Sequence, residues 1–345
     1  MIRKQTSLLV LIIIIFSMLL TACDTGPNKV CIVLDTGGEN DKGFNEYSLK
    51  GARSAAVEAG LEFTHLVSSS STDYKTYINR FIEEDCDMIL TVGFLMGDVT
   101  AEAAMANPKV TFAIIDVAYS PGFGCAADAD DCYTEEGGLG NVTSLMFAED
   151  EVGYLAGTLA ACMSESGVIG SVSGLEIPPV VRFVTGYQNG AKAFNQDVET
   201  LNVYVPDFND PVTGKQMGEA QIQRGADIIF GVGGNTGNGA LLAIHEANGL
   251  AIGVDVDQYG TFPDVAPSLL TSAMKNVDVA AAEAVRAFAD GKLLPGILMS
   301  NIANEGIGLA PYHDLDGQVS EACKTAVNRA ASDLKQDVID TGYTP

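Results

Sequence analysis

The 345-residue chain has no tryptophan, only three histidines, and 19 lysines and arginines against 45 aspartates and glutamates. Each shortage narrows what the protein does. A formal net charge of −26 argues against nucleic acid as a partner, because a phosphate backbone is bound by clustered Lys and Arg. The acidic surface favours solubility and makes a polyanionic ligand a poor guest. His65, His245 and His313 have no evident Ser or Cys partner for nucleophilic catalysis. They are also scattered, and no CxxC pair occurs, so the metal reading is weak and no cofactor is expected. GGNTGNG, residues 233–239, lacks the Lys-Ser/Thr ending of a phosphate-cradling loop. Close backbone approach to a ligand explains its glycines better. The missing tryptophan removes one favoured sugar-stacking side chain and leaves Phe and Tyr to do that work.

The N-terminus is where the long apolar run lies. Arg3 and Lys4 precede a nearly unbroken apolar stretch from Ser7 to Leu20, followed by Leu20-Thr21-Ala22-Cys23. This is the order of a secretory signal, and the cysteine after small residues makes it resemble a bacterial lipoprotein signal. Residues 1–22 are read as the signal, Cys23 as the lipidated first residue of the mature protein, and 23–29 as an anchor linker. A plain membrane helix is the alternative, but the run is short for the roughly 20 residues a span needs. The expected location is the extracytoplasmic face of the cell membrane.

Six further cysteines fit an oxidising compartment: Cys31, Cys86, Cys125, Cys132, Cys162 and Cys323. Cys125 and Cys132 bracket the small acidic loop AADADD and are placed to close it. Cys31 and Cys86 each begin an apolar strand-like run and are placed to join neighbouring strand bases. Cys162 and Cys323, both in helix-like segments, remain as the third pair.

Through the mature chain, short β-rich runs alternate with helix-length amphipathic stretches. That succession predicts an α/β protein with parallel sheets flanked by helices. About 320 residues after the signal are natural for two lobes. Several strands end in polar or glycine-bearing tips: VLDTGG, ILTVGF, AIIDVA, IGSVSG, IIFGVGG and IGVDVD. Open α/β sheets bind ligands beyond the carboxyl ends of their strands, so two facing sheets focus these tips on one hinged cleft. Lobe 1 is expected at 30–144 plus 269–297. Lobe 2 is expected at 145–268 plus 298–345, including a C-terminal helix. The stretch LLTSAMKNVDVAAAEAVRAFADGK is read as a strand and helix returning to lobe 1.

DTGGENDKGFNEY (Asp35–Tyr47), GVDVDQY (Gly253–Tyr259) and LLTSAMKNVDVA (Leu269–Ala280) resemble the basic membrane protein family of bacterial lipoproteins. GFLMGDVTAEAA (Gly93–Ala104) and FGVGGNTGNGALLAIHE (Phe230–Glu246) add support, in the expected order along the chain. The resemblance implies a type I periplasmic-binding-protein fold and a monomer that captures a purine nucleoside for the permease and ATPase subunits of an ABC importer. It also implies a site. Asp35 would bond the base edge, Phe44 would stack on the base, and Asn45 and Asp116 would add polar contacts. Phe183 would stack from the second lobe. Gly234 marks close backbone approach, Asp255 would bind ribose hydroxyls, and Lys275 would complete the polar ring.

The residue types suit that ligand without the resemblance. Aromatic stacking on a base contributes roughly 1–3 kcal/mol, and carboxylates accept from sugar hydroxyls and ring N–H groups while repelling phosphate. Each residue also has a plainer reading. Phe44 could plug the core, Asp35 and Asp116 could be helix N-caps, Phe183 on an amphipathic helix could be core, and Lys275 could snorkel. Asp257 could exchange roles with Asp255. The rival functions are a binding protein for another small solute such as a sugar, and an exported nucleoside hydrolase.

Overall fold

The computed structural model describes residues 28–134 and 138–344; the expected signal and the expected lipidation site Cys23 lie outside the described residues. The first pass of the chain builds β1 (Lys29–Leu34), α1 (Phe44–Glu58), β2 (Glu62–Val67), α2 (Asp73–Glu83), β3 (Met88–Val92), α3 (Gly97–Ala106), β4 (Thr111–Ile115) and β5 (Val142–Phe147). The second builds α4 (Glu149–Met163), β6 (Val168–Ser173), α5 (Pro178–Phe194), β7 (Glu199–Tyr204), α6 (Pro211–Gln223), β8 (Ile228–Val232), α7 (Gly234–Glu246), β9 (Leu250–Asp255) and β10 (Leu269–Lys275). The last adds α8 (Val277–Ala289), β11 (Gly296–Ser300), β12 (Ile307–Leu309) and α9 (Glu321–Lys335).

These strands form two sheets of the same plan, β2-β1-β3-β4-β5-β11 and β7-β6-β8-β9-β10-β12. Every pairing in them is parallel except that β12 runs antiparallel to β10. The inner strands are buried along their whole length because helices cover both faces. The chain therefore has the expected architecture: two parallel-sheet lobes flanked by helices, with strand order reversing beside β1 and β6, where such sheets bind ligands.

The expected return of the segment 269–297 to the first lobe is half corrected. β10 stays in the second sheet between β9 and β12, and only α8 crosses back, to pack on α1. An apolar run such as LLTSAMK reports burial on both faces, which any interior slot supplies, so it does not say which sheet takes it. β11 then enters the first sheet whole, as the edge strand beside β5. The chain thus passes between sheets at Phe147–Glu149, Lys275–Val277 and Ser300–Ile307.

The three expected disulfides are present: Cys31–Cys86, Cys125–Cys132 and Cys162–Cys323. The last ties α4 to α9. Helices α4 and α5 cross at backbone contact, since a Cβ on Gly157 would collide with the Tyr187 carbonyl and one on Gly190 with the Tyr154 carbonyl. This close crossing sets where the N-terminal ends of both helices lie, and both reach the cleft region. Because the colliding atoms are backbone, they cannot step aside. Gly157→Ala is therefore expected to lower stability by about 2–3 kcal/mol, measured by chemical denaturation.

Candidate ligand-binding cleft

The carboxyl ends of the two sheets open on one cavity between the lobes. Asp35, Phe44, Asn45, Asp116, Phe183, Gly234, Asp255 and Lys275 all line it.

On the first lobe the wall is one loop and the helix it starts. Asp35 directly follows β1; its Oδ1 accepts from the Gly37 amide and from Asn45 Nδ2, both at 2.8 Å. Asn45 Oδ1 accepts in turn from the Asp35 amide at 3.2 Å. The Asn45 amide is therefore committed to orienting Asp35. Asp41 was not among the expected residues, yet it organises this wall. Its carboxylate accepts from the amides of Gly43 (3.0 Å), Asn45 (2.8 Å) and Glu46 (3.2 Å), and from Asn45 Nδ2 (3.0 Å). That satisfies donors at the start of α1, which begins at Phe44 and not after it. Phe44 thus sits on the first turn of a helix, half-buried, with Lys275 Nζ 5.0 Å from its ring centroid. Gly93 has φ 113°, and a Cβ there would stand 3.0 Å from Asp35 Oδ2. Only glycine leaves Asp35 its place.

The back of the cleft is charged. Lys275, 1% exposed, places Nζ 2.5 and 2.6 Å from the two Asp116 oxygens and 2.8 Å from Glu149 Oε1. Arg182 Nε stands 2.5 Å from Glu149 Oε2. Burial disfavours charge on Glu149, but Lys275 and Arg182 outweigh it and hold that carboxyl below its usual range. Burial likewise works against charge on Lys275, and the surrounding carboxylates Asp116, Glu149 and Asp255 overcome it. Lys275 does not snorkel to the surface.

Asp116 and Asp255 share a backbone feature. Both adopt left-handed conformations at strand tips, with φ 73° and 66°, a region rare for residues other than glycine and most accessible to Asn and Asp. Such conformations concentrate at functional sites, where the surroundings compensate their strain. Asp257 lies elsewhere: its carboxylate caps the short helix 258–261 and pairs with His313 Nε2 at 2.8 Å.

The second lobe supplies Gly234, Phe183 and Phe208. Phe183 is 3% exposed, its ring edge-on to Phe230 at 5.9 Å and 78°. Phe208 was not expected. It is half-buried in the loop after β7 and packs on Gly174 and Gly233. Thr236 pins that loop: its Oγ1 donates to the Asp207 carbonyl at 2.6 Å and its amide donates to the Phe208 carbonyl at 3.2 Å. The signal was available in VPDFND, where a phenylalanine stands alone among polar residues, as Phe44 does.

The Bmp family, described as "ABC transporter substrate-binding protein PnrA-like", matches residues 28–339. The chain is 30% identical over 335 residues to "ABC transporter nucleoside-binding protein BmpA" of Lactococcus lactis, covering 92% of this chain and 88% of that one. It is 32% identical to an uncharacterized lipoprotein of Pyrococcus abyssi, covering 86% and 72%. Among solved structures, an ABC transporter solute-binding protein from Aeropyrum pernix superposes with a TM-score of 0.73 at 28% identity, covering 91% and 87%.

Burial also changes two cleft carboxyls. It pushes Asp35 up to about 6, against the hydrogen bonds from Gly37 and Asn45. It pushes Asp255 up to about 7, opposed by Lys275 and reinforced by Asp116 and Asp41. A carboxyl raised in the folded state stabilises fully below its unfolded value, near 4, and loses that contribution as pH rises through its folded value. The empty protein should therefore lose stability from these groups between pH 4 and about 7. Asp255→Asn is expected to flatten the fall and raise the unfolding free energy at pH 8 by on the order of 2–4 kcal/mol. Denaturation of the unliganded protein from pH 5 to 8 checks both statements.

Proposed function

This chain belongs to the Bmp family of PnrA-like ABC transporter substrate-binding proteins, and from that membership we propose that its cleft captures a nucleoside, purine before pyrimidine, for an ABC importer. The family is one of binding proteins rather than enzymes, so the work of the cleft is capture and release. The observation that carries the ligand class is a pair of half-buried phenylalanines, Phe44 on one lobe and Phe208 on the other, lining a cavity that also holds Asp35, Asp116 and Asp255. Two aromatic rings suit the faces of a base, and carboxylates suit the hydroxyls and N–H groups at its edges. We assign the second aromatic face to Phe208 and give Phe183, packed against Phe230, to the wall beneath it.

The starts of two helices at the cleft argue for a neutral ligand. A helix N-terminus ordinarily offers free amides to phosphate. In α1 those amides are taken by the Asp41 carboxylate. In α5 the first two residues are Pro178 and Pro179, which have no amide hydrogen. A 5′-phosphate would meet carboxylates and prolines where it needs donors, so a nucleoside is favoured over a nucleotide. In this reading Cys23 carries the lipid that anchors a monomer outside the membrane, and the lobes close about the three chain crossings.

A thermal-shift panel of nucleosides, nucleotides, free bases and sugars tests this, because a ligand that binds only the folded state raises stability by mass action. Inosine and guanosine should raise the melting temperature and their monophosphates should not. Phe44→Ala and Phe208→Ala should each weaken nucleoside binding about 10- to 100-fold, the scale of one base stack, and leave the empty protein nearly as stable. Phe183→Ala should do the reverse, destabilising the empty protein by about 3–5 kcal/mol. A shift with sugars alone would refute the nucleoside reading.

A further inference from the structure

The loop between β1 and α1 touches the opposite lobe at its tip. Asn238 Nδ2, from α7, donates to the Asp41 carbonyl at 3.1 Å. Thr261 Oγ1 donates to the Lys42 carbonyl at 2.8 Å, and Lys42 Nζ lies 5.3 Å from the Phe262 ring centroid. Lys42 itself is left-handed, with φ 63°, a conformation that a non-glycine residue holds only when its surroundings compensate. The carbonyls bonded across the lobes are its own and its predecessor's.

Asn238 is built for this contact. Its Oδ1 accepts from Gln258 Nε2 at 2.8 Å, which leaves Nδ2 to face the loop. Gln258 is held in turn, its Oε1 accepting from the Val254 amide at 3.0 Å and its own amide donating to Ser272 Oγ at 3.1 Å. Asn238 and Gln258 are both buried, and none of Asn238, Gln258 and Thr261 lines the cavity. Asn238 and Thr261 reach the loop whose two ends carry Asp35 and Phe44.

We propose that Asn238, backed by Gln258 and assisted by Thr261, is a positioning residue that latches the ligand-bearing loop of the first lobe onto the second, and so sets how fast a captured nucleoside leaves. A latch made only in the closed form acts on release, because ligand enters before it forms. The proposal rests on the nucleoside reading above and goes beyond it, since these residues make no ligand contact.

The test is stopped-flow binding of inosine to the wild type, Asn238→Asp and Thr261→Val. Asn238→Asp keeps the shape and the acceptor for Gln258 but sets a carboxylate oxygen against the Asp41 carbonyl. Thr261→Val removes the second bond with little change of volume. Dissociation should speed up roughly tenfold in Asn238→Asp and severalfold in Thr261→Val, the scale of single buried hydrogen bonds. Association should stay within twofold. Unchanged release, or an affinity loss carried entirely by slower association, would overturn the latch. If the wild type does not bind inosine, the nucleoside reading fails, and the latch is judged by the distance distribution between spin labels on the two lobes. It should broaden in both variants, and identical distributions would sink it.

Discussion

A lysine ammonium buried to 1% exposure is the constraint around which the cleft is arranged. Such a charge is tolerated only when carboxylates surround it, and removing one partner of a buried pair costs about 3–5 kcal/mol. Lys275 finds Asp116 and Glu149, and Glu149 is completed by Arg182. Each comes from a different part of the chain. Asp116 follows β4 in the first lobe, Glu149 is the first residue after one crossing, Lys275 is the last before another, and Arg182 lies on α5. Satisfying one charge therefore fixes the back of both lobes relative to each other. The glycine contact between α4 and α5 sets the spacing at which Glu149 and Arg182 meet.

The front of the cleft depends on a different economy of hydrogen bonds, concentrated in DTGGENDKGFNEY. Asp41 takes up the amides at the start of α1, Asn45 orients Asp35, and the carbonyls of Asp41 and Lys42 reach the second lobe. One short loop thus shapes the carboxylate, aims the aromatic ring and makes the closing contact. That explains its density of polar side chains next to a single phenylalanine, since Asp35, Asp41 and Asn45 hold one another and the start of α1.

Much of this was legible in the sequence, for identifiable reasons. Strand tips ending in Asp or Gly announced the cleft because parallel strands gather ligands at their carboxyl ends, and the eight expected residues do line one cavity. The cysteine pairs followed from which segments could be neighbours. What escaped has physical causes too. β10 was placed in the wrong sheet because an apolar run encodes burial and not its neighbours. Asp41 is one of several acidic residues in a polar loop, and its role exists only once the amides of α1 converge on it. Glu149 begins the run Glu149-Asp150-Glu151, which looks like a solvated helix start until Lys275 arrives from a strand far along the chain. Phe183 lies on a helix whose apolar spacing also reads as core, and its ring packs on Phe230, while Phe208, isolated in a loop, lines the same cavity without having been expected.

The two sets of interactions also differ in how readily they break, and a binding protein needs that difference. The charged cluster lies beside the chain crossings, where a hinge moves least, and separating buried charges is expensive. The latch lies at the far tip of the loop, where a hinge moves most, and consists of neutral donors on backbone carbonyls worth about 1 kcal/mol each. Opening at the tip while pivoting at the crossings exchanges the cheap contacts for water and leaves the expensive ones in place. Under the proposed reading, a ligand stacked between Phe44 and Phe208 would add its own binding energy to the same closure. Capture then needs only the few kilocalories that the latch and the ligand supply together, and release needs only that a partner offset them.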